Sequence, residues 1–594
     1  MSIYQPIDDD GGTGGGGGGY PDPNYRGGYS QIRVVDATHF DIMYPNANLL
    51  SGIKAGGSYS GTATAENSSG ASSTYRWAFG AFGGEQGYPA AVAYHQQRRV
   101  FACTYGQPQT VWMSRVAAFP DFSKSSPILD DDAVTFTLNS GQLNAIRGML
   151  SLRRLLLLTS DNEWVVSAGA NGGAITPSNI QVDLQGYRGS SKLPVLGVGN
   201  VALYVQSKGQ IIRDIGYDFA EDSYKGNDLT VMAAHLVQGK QIVDWAWQQT
   251  PFSCIWMVRN DGVLLGATYM REQQVIGWHR HDTDGKFESV CVIPEGDEDV
   301  LYACVVRTIG GVEKRFIERM KTRFFSDRRE AFFVDCGLTF DGRTGKRGTA
   351  TNHSATTMTI TGGTNWDYTE NLTATSSAPF FAYPATTDVG DQIVFEDADG
   401  TIYRLTIIAV ASATSATVRC NKTLPAAYRA SARTDWYIAR DRVAGLPHLE
   451  GKTVSIFADG SVQANKVVTG GAVTLNPPAY LAHVGLPFVS DLATLEVLDQ
   501  TQGVSIGKRK SIQTASVMVE EAASFFAGRD FDHLEEKVAD APTTYDADSF
   551  VPQTGVLRIS FPTPWALDGS MVIRNTDPTP ITVLGLIPDM NAGS

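Results

Sequence analysis

Between Tyr88 and Met320 the chain repeats one unit about every fifty residues. The units open near Ala90, Asn144, Leu196, Ile242 and Phe287, in steps of 54, 52, 46 and 45 residues. Each reads as a β-rich run, a polar turn and a second β-rich run. The turns are Ser160-Asp161-Asn162, Ser207-Lys208-Gly209, Asn260-Asp261-Gly262 and Ile309-Gly310-Gly311. Gly and Asn tolerate positive φ, so such turns between apolar runs signal hairpins. A hairpin repeat at this period predicts β-propeller blades rather than an irregular sandwich. Propellers usually serve as scaffolds or binding platforms, which weighs against an enzyme.

At 594 residues the chain exceeds a single core, and roughly two to four domains are expected. Charged residues are 19 %, and the 61 glycines favour turns and strands over helices. The net charge is −14, a poor endowment for gripping DNA but compatible with a wall that DNA slides past. No run of eighteen apolar residues suggests a membrane span, and the opening MSIYQPIDDD does not read as a signal peptide. Cys103, Cys254, Cys291, Cys304, Cys336 and Cys420 form no C-x-x-C pair. They read as buried free thiols of a protein made in a reducing cytosol, not as a zinc site.

The expected organisation has five parts. Residues 1–30, with a glycine run at Gly14–Gly19, form a flexible arm that only a partner would order. Residues 31–87 form a small β-rich segment and 88–345 the blades. Residues 346–440 form an inserted β-barrel or sandwich. Residues 441–594 are a C-terminal β region whose last strand, Ile581–Ile587, is expected to pair with an early blade and close the ring. One short helix is expected over Asp491–Leu498, capped by Ser490. The fold class is therefore mainly β, a propeller with small β-barrel or β-sandwich additions and few helices.

No constellation nominates catalysis. His279 and His281 share a strand face, with Asp282 and Asp284 following. Without a third ligand nearby they read as a polar strand end rather than a metal site. Asp130-Asp131-Asp132 and Asp297-Glu298-Asp299 are too consecutive for a cation loop and read as solvated loops or subunit contacts. The polar segment from Asp214 to Leu229 reads as an ordered connector between blades, with a catalytic loop as the alternative. Lys508-Arg509-Lys510 reads as a solvated strand end. Nucleotide, metalloprotease and serine-hydrolase motifs are missing, and no glycosidase carboxylate pair stands out. Catalytic, cofactor-binding and metal residues are accordingly expected to be none.

Several long segments carry a resemblance. They include AYHQQRRVFACTYGQPQTVWMSR, GNVALYVQSKGQIIRDIGYDF, DSYKGNDLT, VAGLPHLEGKTVSIFADG and HVGLPFVSDLATLEV, within a match from about Tyr88 to Pro588. Across them the chain resembles the nozzle, or tail tubular protein B-like, proteins of short-tailed bacteriophages (podoviruses). The resemblance implies a virion tail protein without enzymatic activity, made in the host cytoplasm. It implies a homohexamer below a dodecameric tail adaptor, tail fibres or spikes as neighbours, and double-stranded DNA passing through without sequence-specific binding. About ninety residues precede Tyr88, fewer than such proteins usually carry, which leaves the adaptor contact open. The alternative is a tail-associated receptor-binding or glycan-degrading protein, although a depolymerase would more often show a 20–30-residue β-helix repeat, absent here.

Overall fold

Apolar residues at successive positions of a strand point to opposite sides of its sheet, so a run such as Leu155-Leu156-Leu157-Leu158 demands cover on both faces. The computed structural model meets that demand by stacking sheets. It describes residues 31–34, 40–43, 63–67, 70–74, 81–84, 86–139, 141–169, 173–220, 222–343, 356–497, 508–537, 552–560, 565 and 569–592. The chain divides into two compact units, Met1–Val306 and Arg307–Ser594. The arm expected over residues 1–30 lies outside the described residues. From the following segment come two isolated hairpins, Gln31–Val34 with Phe40–Met43 and Ala63–Asn67 with Gly70–Thr74.

The first unit is a series of antiparallel meanders. The first sheet contains Ala91–His95, Arg98–Ala102, Thr110–Met113 and Val134–Thr137. The second contains Ile146–Ser151, Leu155–Thr159, Glu163–Ser167 and Gln181–Gly186. The third contains Leu196–Val198, Val201–Val205, Ile212–Asp218 and Ser223–Lys225. The fourth contains Ile242–Gln248, Cys254–Arg259, Leu264–Met270 and Val275–His281. A fifth begins with the hairpin Lys286–Glu295 and Glu298–Ile309. These are propeller-type blades, and their first strands start within two residues of the repeat positions legible in the sequence. Each full blade has four strands, and the hairpin seen in the repeat is its middle pair.

Strand alternation assigns each residue to one neighbouring blade. Leu155 and Leu157 pack with Val100, Val111 and Met113 of the first sheet. Leu156 and Leu158 face the other way, onto Ala202, Tyr204 and Ile215 of the third. Leu203 and Val205 meet Ile255 and Met257 of the fourth. Cys254, Trp256 and Val258 meet Val290, Leu301 and Val305 of the fifth. The outer face of the first sheet is covered by Ala81, Phe82, Phe122 and Ala133, with the Phe82 ring 5.1 Å from Trp112. Truncating one such leucine to alanine costs about 2–5 kcal/mol.

A recurring backbone bond joins consecutive blades. The turn between the second and third strands offers a carbonyl to the opening strand of the next sheet. Ile146 N–H donates to Pro108 O at 3.0 Å, Ile242 to Gly209 O at 2.9 Å and Phe287 to Gly262 O at 2.9 Å. Between the second and third sheets the donor is Ser190, upstream of the strand, bonding Thr159 O at 2.8 Å. Gly209 and Gly262 hold φ of +80° and +88°. A Cβ on Gly262 would lie 2.6 Å from Lys286 Cβ, so both the conformation and the close approach require glycine.

In the second unit a seven-stranded sheet runs in the order Met358–Thr361, Leu372–Ser376, Ser415–Cys420, Ile402–Ser412, Gln392–Glu396, Tyr437–Ala444 and Ala472–Ala479. Trp436 fills its core, its indole N–H bonding Thr356 O at 2.9 Å. Tyr437–Ala444 carries this sheet across the boundary expected at 440. A four-stranded sheet orders Asp335–Asp341, Leu481–Leu486, Thr453–Ala458 and Ser461–Val467. The division between the units falls inside the strand Glu298–Ile309 of the fifth sheet, whose third strand is Val312–Arg319.

Three further expectations are corrected here. The last strand, Thr582–Ala592, ladders with Lys510–Ala522 of its own unit rather than with an early blade. Ser490–Ala493 is a strand paired with Val572–Asn575, not the cap and start of a helix, because a distant partner supplies its backbone bonds. The thiols are not uniformly buried: Cys254 and Cys420 are, whereas Cys291 is exposed. Among the described residues no helix is long and apolar enough to cross a membrane.

Gly262→Ala should destabilise the first unit by about 1–3 kcal/mol, through left-handed strain plus the Lys286 clash. Urea unfolding measures this, and Gly239→Ala, also at positive φ but with open space around its Cβ position, separates strain from clash.

Candidate functional site

The acidic run Asp130–Asp132 is not a solvated loop throughout. Asp130 and Asp131 are exposed, but Asp132 is buried in the first blade. Its carboxylate accepts from Ser125 N–H at 2.7 Å, Leu129 N–H at 2.9 Å and the Ser125 hydroxyl at 2.8 Å, and pairs with Arg115. Burial alone would raise this carboxyl; the Leu129 and Ser125 donors and the Arg115 charge outweigh it and hold it below the usual range. Arg115 also pairs with Asp131 at 2.6 Å. Buried Arg98 donates to the carbonyls of Ser114, Asp132 and Asp130 at 2.7, 2.6 and 3.0 Å. Both arginines escaped the sequence reading, since each lies fifteen or more residues from the aspartate run that it holds.

The tract Asp297–Asp299 behaves similarly. Asp299 accepts from the Gln249 and Thr250 N–H groups at 2.9 Å each, tying a hairpin turn of the fourth blade to the fifth. The segment Asp214–Leu229, expected as a connector, supplies the end of the third strand and the whole fourth strand of the third blade; its Asp214 is buried and takes Asn227 N–H at 2.6 Å and the Tyr269 hydroxyl at 2.9 Å. Burial, then the Asp214 charge, push Tyr269 well above a normal phenol. Asp228 binds its own loop through Thr230 N–H at 2.8 Å. These side chains organise the backbone.

His279 and His281 come together on the fourth blade, Nδ1 of the first 2.7 Å from Nε2 of the second. The Trp256 ring lies 5.4 and 5.3 Å from them, and Cys254 Sγ lies 3.7 Å from His279 Nε2. Gly266, across the ladder from His279, makes the space: a Cβ there would fall 1.9 Å from the ring. Asp282 pairs instead with Arg280 at 2.8 Å. Among the described residues no group of three or more His, Cys, Asp or Glu is disposed to hold a metal ion.

In the second unit, Lys510 of the basic run is fully buried beside Gly569 and pairs with Glu496, correcting the solvated reading. Only Lys508 and Arg509 are exposed. Asp388 and Asp391, not singled out in the sequence, both face Arg440, at 3.3 and 2.8 Å. Burial pushes the Asp391 carboxyl up to about 6 against the pull of Arg440. His483 is buried between Thr339 Oγ1, 2.8 Å from Nδ1, and Arg329 O, 3.1 Å from Nε2. Its ring packs against Phe332 and Phe457, and burial pulls its pKa down to about 4.

No family model matches the chain, and no curated protein matches it. Among solved structures it is similar to one titled "Bifunctional GH43-CE Bacteroides eggerthii", at 11 % identity and a TM-score of 0.16. The match covers 72 % of this chain and 62 % of that one. At that TM-score it bears on neither fold nor function.

Two outcomes follow from this geometry. Asp132→Ala leaves the Ser125 and Leu129 donors without their acceptor and takes one of its carboxylates from Arg115, and should cost about 2–4 kcal/mol in denaturant unfolding, whereas Asp130→Ala should stay within about 0.5 kcal/mol. For His483, the folded pKa lies below the unfolded one, so its contribution is complete above about pH 6.5 and is lost as pH falls toward about 4. Between about pH 7.5 and about pH 5 wild type should lose about 2 kcal/mol more than His483→Gln. Equal slopes for the two proteins would refute the assignment.

Proposed function

We propose that this chain is a structural subunit of the tail nozzle of a short-tailed bacteriophage. In this reading six copies form a ring below the tail adaptor, hold the genome before infection and conduct double-stranded DNA during ejection. It carries no catalytic role and resides in the virion, with tail fibres or spikes as further neighbours. The observation that carries the reading is how the molecule uses its charged side chains. Asp132, Asp214, Asp299, Arg98 and Arg115 fasten turns and connectors of a stacked-blade scaffold. The long segments resembling nozzle proteins support the same assignment.

A channel needs several chains around an axis, because a single propeller's centre is filled or too narrow for a duplex. With −14 on each copy, the wall is predominantly negative. DNA then meets little electrostatic friction, since tight binding requires phosphates paired with Lys and Arg. Retention falls to loops that narrow the tube.

A second reading, a glycan-degrading tail protein, draws on Asp388 and Asp391, since paired carboxylates with one raised pKa suit acid catalysis. Both are buried on Arg440, with Asp388 also accepting Ala382 N–H at 2.7 Å, which favours a structural role.

Native mass spectrometry and negative-stain imaging of virion-derived protein should give hexameric rings. Monomers alone would overturn the nozzle assignment, and glycan hydrolysis abolished by Asp391→Asn would establish the second reading.

A further inference from the structure

We propose that an open cleft of about 480 Å³ in the first unit binds a phosphomonoester of sugar-phosphate size, a site separate from any nozzle function. Arg147 enters it from the first strand of the second blade. Ser191 and Lys192 come from the segment leading into the third, Ser207 and Lys208 from the turn between the second and third strands of the third, and Gln241 from the start of the fourth. The cleft therefore exists only because the turn of one blade is bonded to the opening strand of the next.

Charge is the first argument. Acids outnumber bases 62 to 48 in this chain, yet this cleft gathers three cations and no carboxylate. Among the described residues Arg147, Lys192 and Lys208 have no ion-pair partner. Several arginines elsewhere in the unit are paired: Arg115 with Asp132, Arg213 with Asp228, Arg259 with Asp261 and Arg280 with Asp282. Three uncompensated positive charges suit a dianion, whereas one carboxylate would leave two of them unmatched.

Hydrogen bonding is the second. Arg147 is tethered by Nη1, which donates to Ser190 O at 3.0 Å, while its shielded Nε has no acceptor in the protein. The Ser191 and Ser207 hydroxyls and the Gln241 amide add neutral donors beside the cations. The positive potential is felt nearby. Burial raises the Cys103 thiol, and the charges of Arg147 and Lys192 oppose that rise.

Size sets the ligand class. Small-molecule sites span about 300–1,000 Å³, so the cleft holds more than a bare phosphate. A nucleic-acid duplex would need cations spread along its backbone rather than converging in one recess.

The test uses the full chain with glucose 6-phosphate as probe, glucose as neutral control and potassium chloride at matched ionic strength. Glucose 6-phosphate should raise the melting temperature and give calorimetric binding; glucose and chloride should do neither. Lys192→Gln/Lys208→Gln, changing two exposed side chains, should weaken binding by about tenfold or more while leaving the unliganded melting temperature unchanged. Arg147→Gln should weaken it further, and the lysine pair decides the matter if that variant does not fold. Equal responses of wild type and the lysine variant, or no response to the phosphate, would overturn the site. Duplex DNA binding more tightly than the sugar phosphate, and lost in the same variant, would overturn the ligand class.

Discussion

The backbone bond from each blade's middle turn to the opening strand of the next is the constraint on which the first unit depends. Pro108 to Ile146, Gly209 to Ile242 and Gly262 to Phe287 repeat one geometry at three junctions. Each bond fixes how far one sheet advances over its neighbour. That offset decides which residues of facing sheets interdigitate. Buried backbone donors are nearly always satisfied in folded proteins, so losing one of these acceptors would cost more than the net value of an ordinary hydrogen bond. At Gly209 and Gly262 the approach is so close that a Cβ would meet the side chain of Gln241 or Lys286.

Given that offset, the apolar middle strands become intelligible. Cys254-Ile255-Trp256-Met257-Val258 is buried along its length because Ile255 and Met257 face the third blade while Cys254, Trp256 and Val258 face the fifth. The charged residues then do local work. From their strands, Asp214 and Asp299 accept backbone donors of nearby loops and turns, and Asp214 also the Tyr269 hydroxyl. The Arg115–Asp132 pair, inside the first blade, is stabilised less by Coulomb attraction alone than by the N–H and hydroxyl donors that complete the carboxylate's shell. The second unit follows the same rule with a different plan. Arg404 pairs with Asp459 at 2.8 Å, and Asp459 in turn takes the Tyr480 and Leu481 N–H groups at 3.0 and 2.9 Å.

Local sequence by itself determined where the blades of the first unit begin and where their middle turns lie. β-rich runs of limited length, broken by Gly, Asn and Asp at spacings near fifty residues, have few solutions other than stacked meanders, and the blades begin where the repeats begin. The sequence also carried the mainly β class, since no apolar helical periodicity of useful length competes with the strands. The short fourth strands, such as Ser223–Lys225, were not legible, because so brief and polar a segment owes its conformation to its ladder partner. Tertiary structure alone decided the pairings that span long distances, as with Ser490–Ala493 on Val572–Asn575. It alone decided which charges are buried: a run of three aspartates or three basic residues looks solvated until packing closes over Asp132 or Lys510. The convergence of Arg147, Lys192 and Lys208 belongs to the same category, because residues sixty-one positions apart share a cleft only after two blades have stacked.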